Sequence, residues 1–351
     1  MRGFPGQAVR VEAASYRGQP VSFQVVWPWT RPTRMETPPV STLSRVLSVA
    51  VALVLAALIA GAILLSRHNL RSGRADRRGA TRVALFLAGV WVASWGLSAD
   101  HSLSIDTELS RFIGVFSFAW LNVGITWLFY LALEPFVRRL YPEILITWTR
   151  VLAGRLRDAR VGRDVLVGVA AGTFLYLASA AAMLSPQLVG QAPLQPAISQ
   201  VNYLFGNRYT IGAMLLTFPN ALQVAMIGTF LFVLLLALVR RRSVAAAIVG
   251  VPFGGLIVFA TSQAGLLVGI LFAVASVGTV IFVFLHYGLV GIAVTLMTTQ
   301  ALNIVPITAD LTKPHALGSA TVLITVVAVA VYAFRISGAG NGMFRRLVPA
   351  G

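Results

Sequence analysis

The chain has 351 residues, 57% hydrophobic and 11% charged, with a mean hydropathy of +0.81. A soluble domain carries roughly 25% charged residues, so composition excludes an ordinary soluble globule. The net charge of +17 is spread between apolar runs instead of gathered in one basic domain, which argues against nucleic acid as partner, and the absence of cysteine excludes disulfides and thiolate metal sites.

Residues 1–44 read as a segment of their own. Val9, Val11 and Ala13 alternate with polar residues, Arg17-Gly18-Gln19-Pro20 is a turn signal, and Val21, Phe23, Val25 and Trp27 alternate again. This pattern predicts a small β-hairpin. Pro28, Pro32, Pro38 and Pro39 then predict an extended linker.

A bilayer core of ~30 Å needs about 20 apolar residues of helix. Runs that meet or approach this length are 46–65, 83–99, 112–133, 165–184, 221–239, 244–261, 266–285, 287–305 and 319–334. The expected fold is therefore an all-α polytopic membrane protein of about nine transmembrane helices over residues 45–336. The hairpin-like segment precedes them and a short tail, 337–351, follows. Pro252 and the Gly254-Gly255 pair fall inside the sixth run, where neighbouring helices can cover a kink.

Arginines fill alternate gaps. The first gap holds Arg67, Arg71, Arg74, Arg77, Arg78 and Arg82; the third holds Arg138, Arg139, Arg150, Arg155, Arg157, Arg160 and Arg163. Arg240, Arg241 and Arg242 follow the fifth run, and Arg335, Arg345 and Arg346 follow the ninth. The other gaps hold Arg111, Arg208 and Lys313, the only lysine. Basic residues beside spans stay cytoplasmic. The expected topology in a bacterial inner membrane thus has the N-terminus outside and the C-terminus inside. An external segment carrying five arginines and no apolar leader is expected to be delivered by an upstream span, so that the chain would be a piece of a longer protein.

The third gap is more than a tether. Pro142 suits a first helical position, with Glu143 next. Leu145, Trp148, Leu152 and Leu156 share one helical face, opposite Thr147, Arg150 and Arg157, with Arg155 at the edge. An amphipathic interfacial helix is expected near 142–157, in contact with anionic headgroups. The membrane-surface residues are then Arg138, Arg139, Trp148, Arg150, Arg155, Arg157 and Arg163. Glu134 is expected to pair with Arg138 or Arg139 at the helix end.

Chemistry-bearing motifs are few. No lysine, His-Arg-Asp-like loop or Asp-Phe-Gly stands where a kinase needs them, and a Walker loop fails for the same reason. Gly338–Gly342 is glycine-rich without the strand–turn–helix context of a phosphate loop. No His-Glu-x-x-His occurs; Glu134 with His286 is a remote pair for intramembrane hydrolysis. A transporter would want ionisable residues at midplane. The runs offer Asn122, Thr126, Asn220 and Gln223, expected to bond neighbouring helices, and a possible helix break at Pro219-Asn220. The residues point to no catalytic, cofactor or metal site.

The stretch Leu133-Glu134-Pro135-Phe136-Val137-Arg138-Arg139-Leu140-Tyr141-Pro142, running through Ile146–Arg155 to Arg160–Gly168, resembles the membrane region that follows the kinase domain in acidobacterial serine/threonine protein kinases. Arg10–Met35 is similar to their short external segment, and Gly288–Gly291 with Pro306–Leu311 to their last spans. The resemblance implies the membrane portion of a kinase-like receptor, without its catalytic domain, which a longer protein or an adjacent gene would supply. The expected function is a non-catalytic membrane anchor or sensor module; the alternative is a small-molecule transporter or channel.

Overall fold

The computed structural model describes residues 9–16, 18–27, 30, 42–101, 103–188, 202–261 and 264–339. The prolines of the linker (28, 32, 38 and 39) and the tail from residue 340 lie outside them. The chain divides into two compact units, Met1–Leu55 and Ala56–Gly351.

The first unit holds an antiparallel hairpin of β1 (Arg10–Tyr16) and β2 (Gln19–Val26). Val11 faces Val25 and Ala13 faces Phe23, so the two alternating apolar sets meet on one face. Gln19 and Pro20, expected in the turn, begin β2 instead; the register shifts between Ala14 and Ser15 to absorb the difference.

Nine α-helices occur among the described residues: α1 (Thr42–Arg71), α2 (Arg77–Ser98), α3 (Ile105–Leu140), α4 (Ile146–Leu152), α5 (Ala159–Leu188), α6 (Asn207–Val239), α7 (Arg242–Ala260), α8 (Leu266–Leu302) and α9 (Ala316–Ala339). All but α4 are long and apolar enough to cross a membrane. This is a helical membrane protein, and many of its large apolar side chains, such as Leu85, Val251, Leu271 and Val274, are exposed on the outside of the bundle, where lipid can cover them.

Pairing follows from side chains that reach across. Ser66 and Asn69 of α1 donate to the carbonyls of Leu128 and Leu131 in α3, so these two helices run parallel. Trp91 packs on Phe118 and Trp95 on Phe112, which makes α2 and α3 an antiparallel pair. Phe86 meets Phe218 and the Ser94 hydroxyl donates to the Gly212 carbonyl, setting α2 antiparallel to α6. Phe129 and Phe230 join α3 to α6, and Phe232 and Phe284 join α6 to α8.

Two of the nine expected spans lie in the single 37-residue helix α8. Its backbone leaves helical geometry at Gly288, with φ +64° and ψ −154°. A Cβ on Gly291 would stand 3.1 Å from Val283, eight residues earlier. In a straight helix eight residues span about 12 Å, so the chain turns sharply back here. The leg 266–287 is about 33 Å long and lies against α6 and α7. The leg 289–302 runs along α5, with Gly168 against Val294, Gly172 against Thr298 and the Thr299 hydroxyl donating to the Gly172 carbonyl. Those contacts advance together, so this leg is parallel to α5.

The possible break at Pro219-Asn220 is absent. α6 runs unbroken from Asn207 through a buried Pro219, extending the expected run by fourteen residues. Packing on α2 protects a ladder that has lost one N–H.

These pairings place the arginine-rich gaps together. The ends of α1, α3, α6 and α9, the starts of α2, α5 and α7, and Gly288 share one end of the second unit. The α2–α3 turn and the starts of α6, α8 and α9 share the other.

Gly288 combines positive φ with close approach: a Cβ would sit 2.5 Å from the Ile144 carbonyl oxygen. Gly288→Val should therefore lower unfolding stability in detergent by about 2 kcal/mol or more, from a left-handed backbone and overpacking together. Gly278→Val is the control, because nothing lies within 4 Å of a Cβ there. Equal denaturation midpoints for the two variants would remove Gly288 as the turning point.

Candidate functional site at the arginine-rich end

The site is built around four acidic side chains. Asp76 caps α2, one carboxylate oxygen accepting from the Gly79 N–H at 2.9 Å and the other from the Tyr130 hydroxyl at 3.2 Å. Its carboxylate thereby favours the positive end of α2 and ties it to α3. Glu134, one turn beyond Tyr130, is buried and forms an ion pair with Arg138, one turn further on. Arg139 is exposed and forms no ion pair among the described residues.

Asp164 of α5 is buried, accepting from the Thr147 hydroxyl at 2.5 Å and from the Arg163 guanidinium at 2.9 and 3.0 Å. That guanidinium also lies over the Tyr287 ring, 5.3 Å from its centre. Asp158 accepts from Arg150 at 2.5 Å and from the Arg160 N–H. Hydrogen bonding from Arg150 comes first in holding the Asp158 carboxyl below the usual carboxylate range.

Together these bonds dock the segment between α3 and α5. It is not one helix over 142–157. Residues Pro142–Ile144 form a 3-10 turn with proline at its start, Ile146–Leu152 form α4, and turns follow. Helical winding stops where Gly154 takes φ +76°, a conformation open to glycine. The expected apolar face is covered by protein. Ile144, Leu145 and Trp148 are buried, Trp148 against the Tyr130 hydroxyl, whereas Leu156 stays exposed. Arg82 donates to the Leu152 carbonyl, and Arg242 reaches Glu143 at 3.4 Å while lying over the Tyr141 ring. Helices α2, α3, α5, α7 and α8 all touch this segment, which acts as a strap across the end of the bundle.

The expected surface residues therefore separate into two sets. Arg138, Arg150 and Arg163 hold acidic partners, and Trp148 is core. Arg155 and Arg157 are exposed and make no ion pair among the described residues. Sequence reasoning passed over Asp76, Tyr130, Asp164 and Tyr287, and placed Thr147 only on the polar face of the expected helix. Asp76 carried a readable signal, an aspartate directly before a helix start; the others are joined only in space.

Two of the four midplane polar residues, Asn122 and Thr126, behave differently from expectation. Both bond the carbonyls of their own helix, at 2.7 and 2.9 Å. Cross-helix bonds come instead from Ser66, Asn69, Ser94 and Thr299. Glu134 and His286 are not partners: His286 Nδ1 bonds the Phe282 carbonyl, and its ring lies beside that of Phe282. No metal-binding group of three acids or histidines occurs among the described residues.

At the opposite end, Asp100 accepts from Tyr209, and Arg208 donates to the same hydroxyl at 2.6 Å. His101 has Nδ1 2.6 Å from Glu108 and Nε2 3.2 Å from the Gly96 carbonyl. Both ring nitrogens face acceptors, an arrangement that suits the imidazolium. The hydrogen bond to Glu108 is the first cause that raises the His101 pKa above its ordinary 6.5.

No family model matches this chain, and neither a curated protein nor a solved structure matches it.

Thr147→Val should leave Asp164 with Arg163 alone and cost about 1.5–3 kcal/mol, the worth of a hydrogen bond to a charged group. Thr147→Ser should restore most of it. Chemical unfolding in mixed micelles reads the difference, and a valine variant as stable as the parent would show that this bond is dispensable.

The His101–Glu108 tie is fully present below pH 6.5 and is lost as pH rises through the higher folded-state pKa. Amide exchange in the first turn of α3, corrected for intrinsic rate, should accelerate over that range. His101→Gln should abolish the pH step, and a step that persists in the variant would assign it elsewhere.

Proposed function

We propose that this chain is a membrane-embedded anchor or sensor module with no chemistry of its own, its arginine-rich end in the cytoplasm. The observation that carries the reading is the strap. Acidic side chains at this end are paired within the protein, Asp76 with Tyr130, Glu134 with Arg138, Asp164 with Thr147 and Asp158 with Arg150, and the Thr147–Asp164 bond ties the strap to α5. What remains outward is a firm basic surface, suited to anionic headgroups and to an attached or partner domain. The resemblance of residues 133–168 to the membrane region of acidobacterial kinases supports a kinase domain in that role.

A transporter built on broken helices would carry its break at the midplane. Here α8 breaks against Ile144, at the level of the strap, and α6 is continuous through Pro219. Both observations favour the anchor.

A chain without cysteine allows a direct test of sidedness. Lys313→Cys should react with a membrane-impermeant maleimide in intact spheroplasts, whereas Ser72→Cys and Arg155→Cys should react only after permeabilisation. The purified chain should also show no magnesium-dependent ATP turnover. Reversed labelling would overturn the orientation, and ATP turnover abolished by a point substitution in this chain would overturn the non-catalytic reading.

A further inference from the structure

We propose that one face of α9, together with the turn 154–158, binds a single phospholipid with an anionic headgroup. Leu323, Val327 and Val331 follow one another at four-residue spacing and line a shallow, open apolar groove between side chains of α9 that ends on Tyr332 and Arg335. Tyr332 is also one wall of a second, open hollow otherwise formed by residues 154–158 with Arg155 and Arg157 among them. Apolar groove and cationic hollow therefore meet at one side chain. From Leu323 to Arg335 the helix rises about 18 Å, close to the depth of one leaflet of a ~30 Å hydrocarbon core. An acyl chain in the groove places its phosphate at the arginines.

Charge selects the headgroup. Arg155, Arg157 and Arg335 form no ion pair among the described residues, and the nearby Asp158 is held by Arg150. Guanidinium groups suit phosphate oxygens in paired hydrogen bonds. A phosphocholine would bring its own cation toward them, and a free phosphate would leave the groove empty. The occupant that uses both features is a phospholipid of net negative charge, such as phosphatidylglycerol. This goes beyond the anchor reading: retention in micelles is independent of sidedness, so either result can fail while the other stands.

The test is native mass spectrometry of the full chain in neutral detergent, titrated with phosphatidylglycerol or with phosphatidylcholine of the same acyl chains. The first phosphatidylglycerol should bind at least tenfold more tightly. The triple substitution R155A/R157A/R335A should bring it to the phosphatidylcholine level, consistent with each arginine's attraction to anionic lipid. Val327→Trp fills the groove without changing charge and should also weaken phosphatidylglycerol about tenfold; should the triple variant not fold, this substitution decides alone. Inorganic phosphate should not displace the lipid. Equal binding of the two lipids, unchanged binding in Val327→Trp, or displacement by phosphate would each overturn the site.

Discussion

Gly288 and Ile144 meet backbone to backbone, at a separation that leaves no room for a side chain. That contact decides three things at once. It lets α8 fold back into two legs, it lays the second leg along α5, and it seats the strap of residues 142–152 against the bundle. A side chain at 288 would push the strap outward and strain the turn. Helices in lipid gain little from burying apolar surface against one another, so they rely on such close approach and on hydrogen bonds that span the interface. Ser66, Asn69, Ser94 and Thr299 supply those bonds here, each donating to a carbonyl of another helix.

The arginine-rich end combines two uses of charge. Glu134 and Asp164 are drawn into the structure, where a buried acid without a partner would be costly. Each acid at this end finds a guanidinium, a hydroxyl or a helix start. The arginines outnumber these acids, and those left over, Arg155 and Arg157 among them, are exposed. Burial of Glu134 and Asp164 thus leaves the surface more basic than the local composition alone would make it.

The strap also shows why an amphipathic pattern does not choose its own partner. Leu145 and Trp148 form an apolar face that lipid could cover equally well. Protein covers it because Thr147, on the same short helix, is within reach of the buried Asp164. Once that bond and the Arg150–Asp158 pair are made, the helix lies over α3 and α5, and only Leu156 beyond the Gly154 turn stays exposed.

Much of the architecture was legible in the sequence, because the length of an apolar run is set by bilayer thickness and by the rise of a helix. Each expected run falls on a helix, although the eighth opens at the Gly288 turn and its last three residues lie past the end of α8, and the hairpin follows from alternation at period two. The pairing of Glu134 with a residue one turn on was legible for the same reason, being local. The sequence left undecided where α8 turns, since a glycine among apolar residues reads the same in a straight helix as at a reversal. It left undecided whether protein or lipid covers Trp148, and which polar residues bridge helices. Thr126 and Ser94 look alike in sequence; one bonds its own helix and the other Gly212 of α6, more than a hundred residues away. Local physics determined the elements, and their orientation about one another, fixed by contacts distant in sequence, was decided only in the tertiary structure.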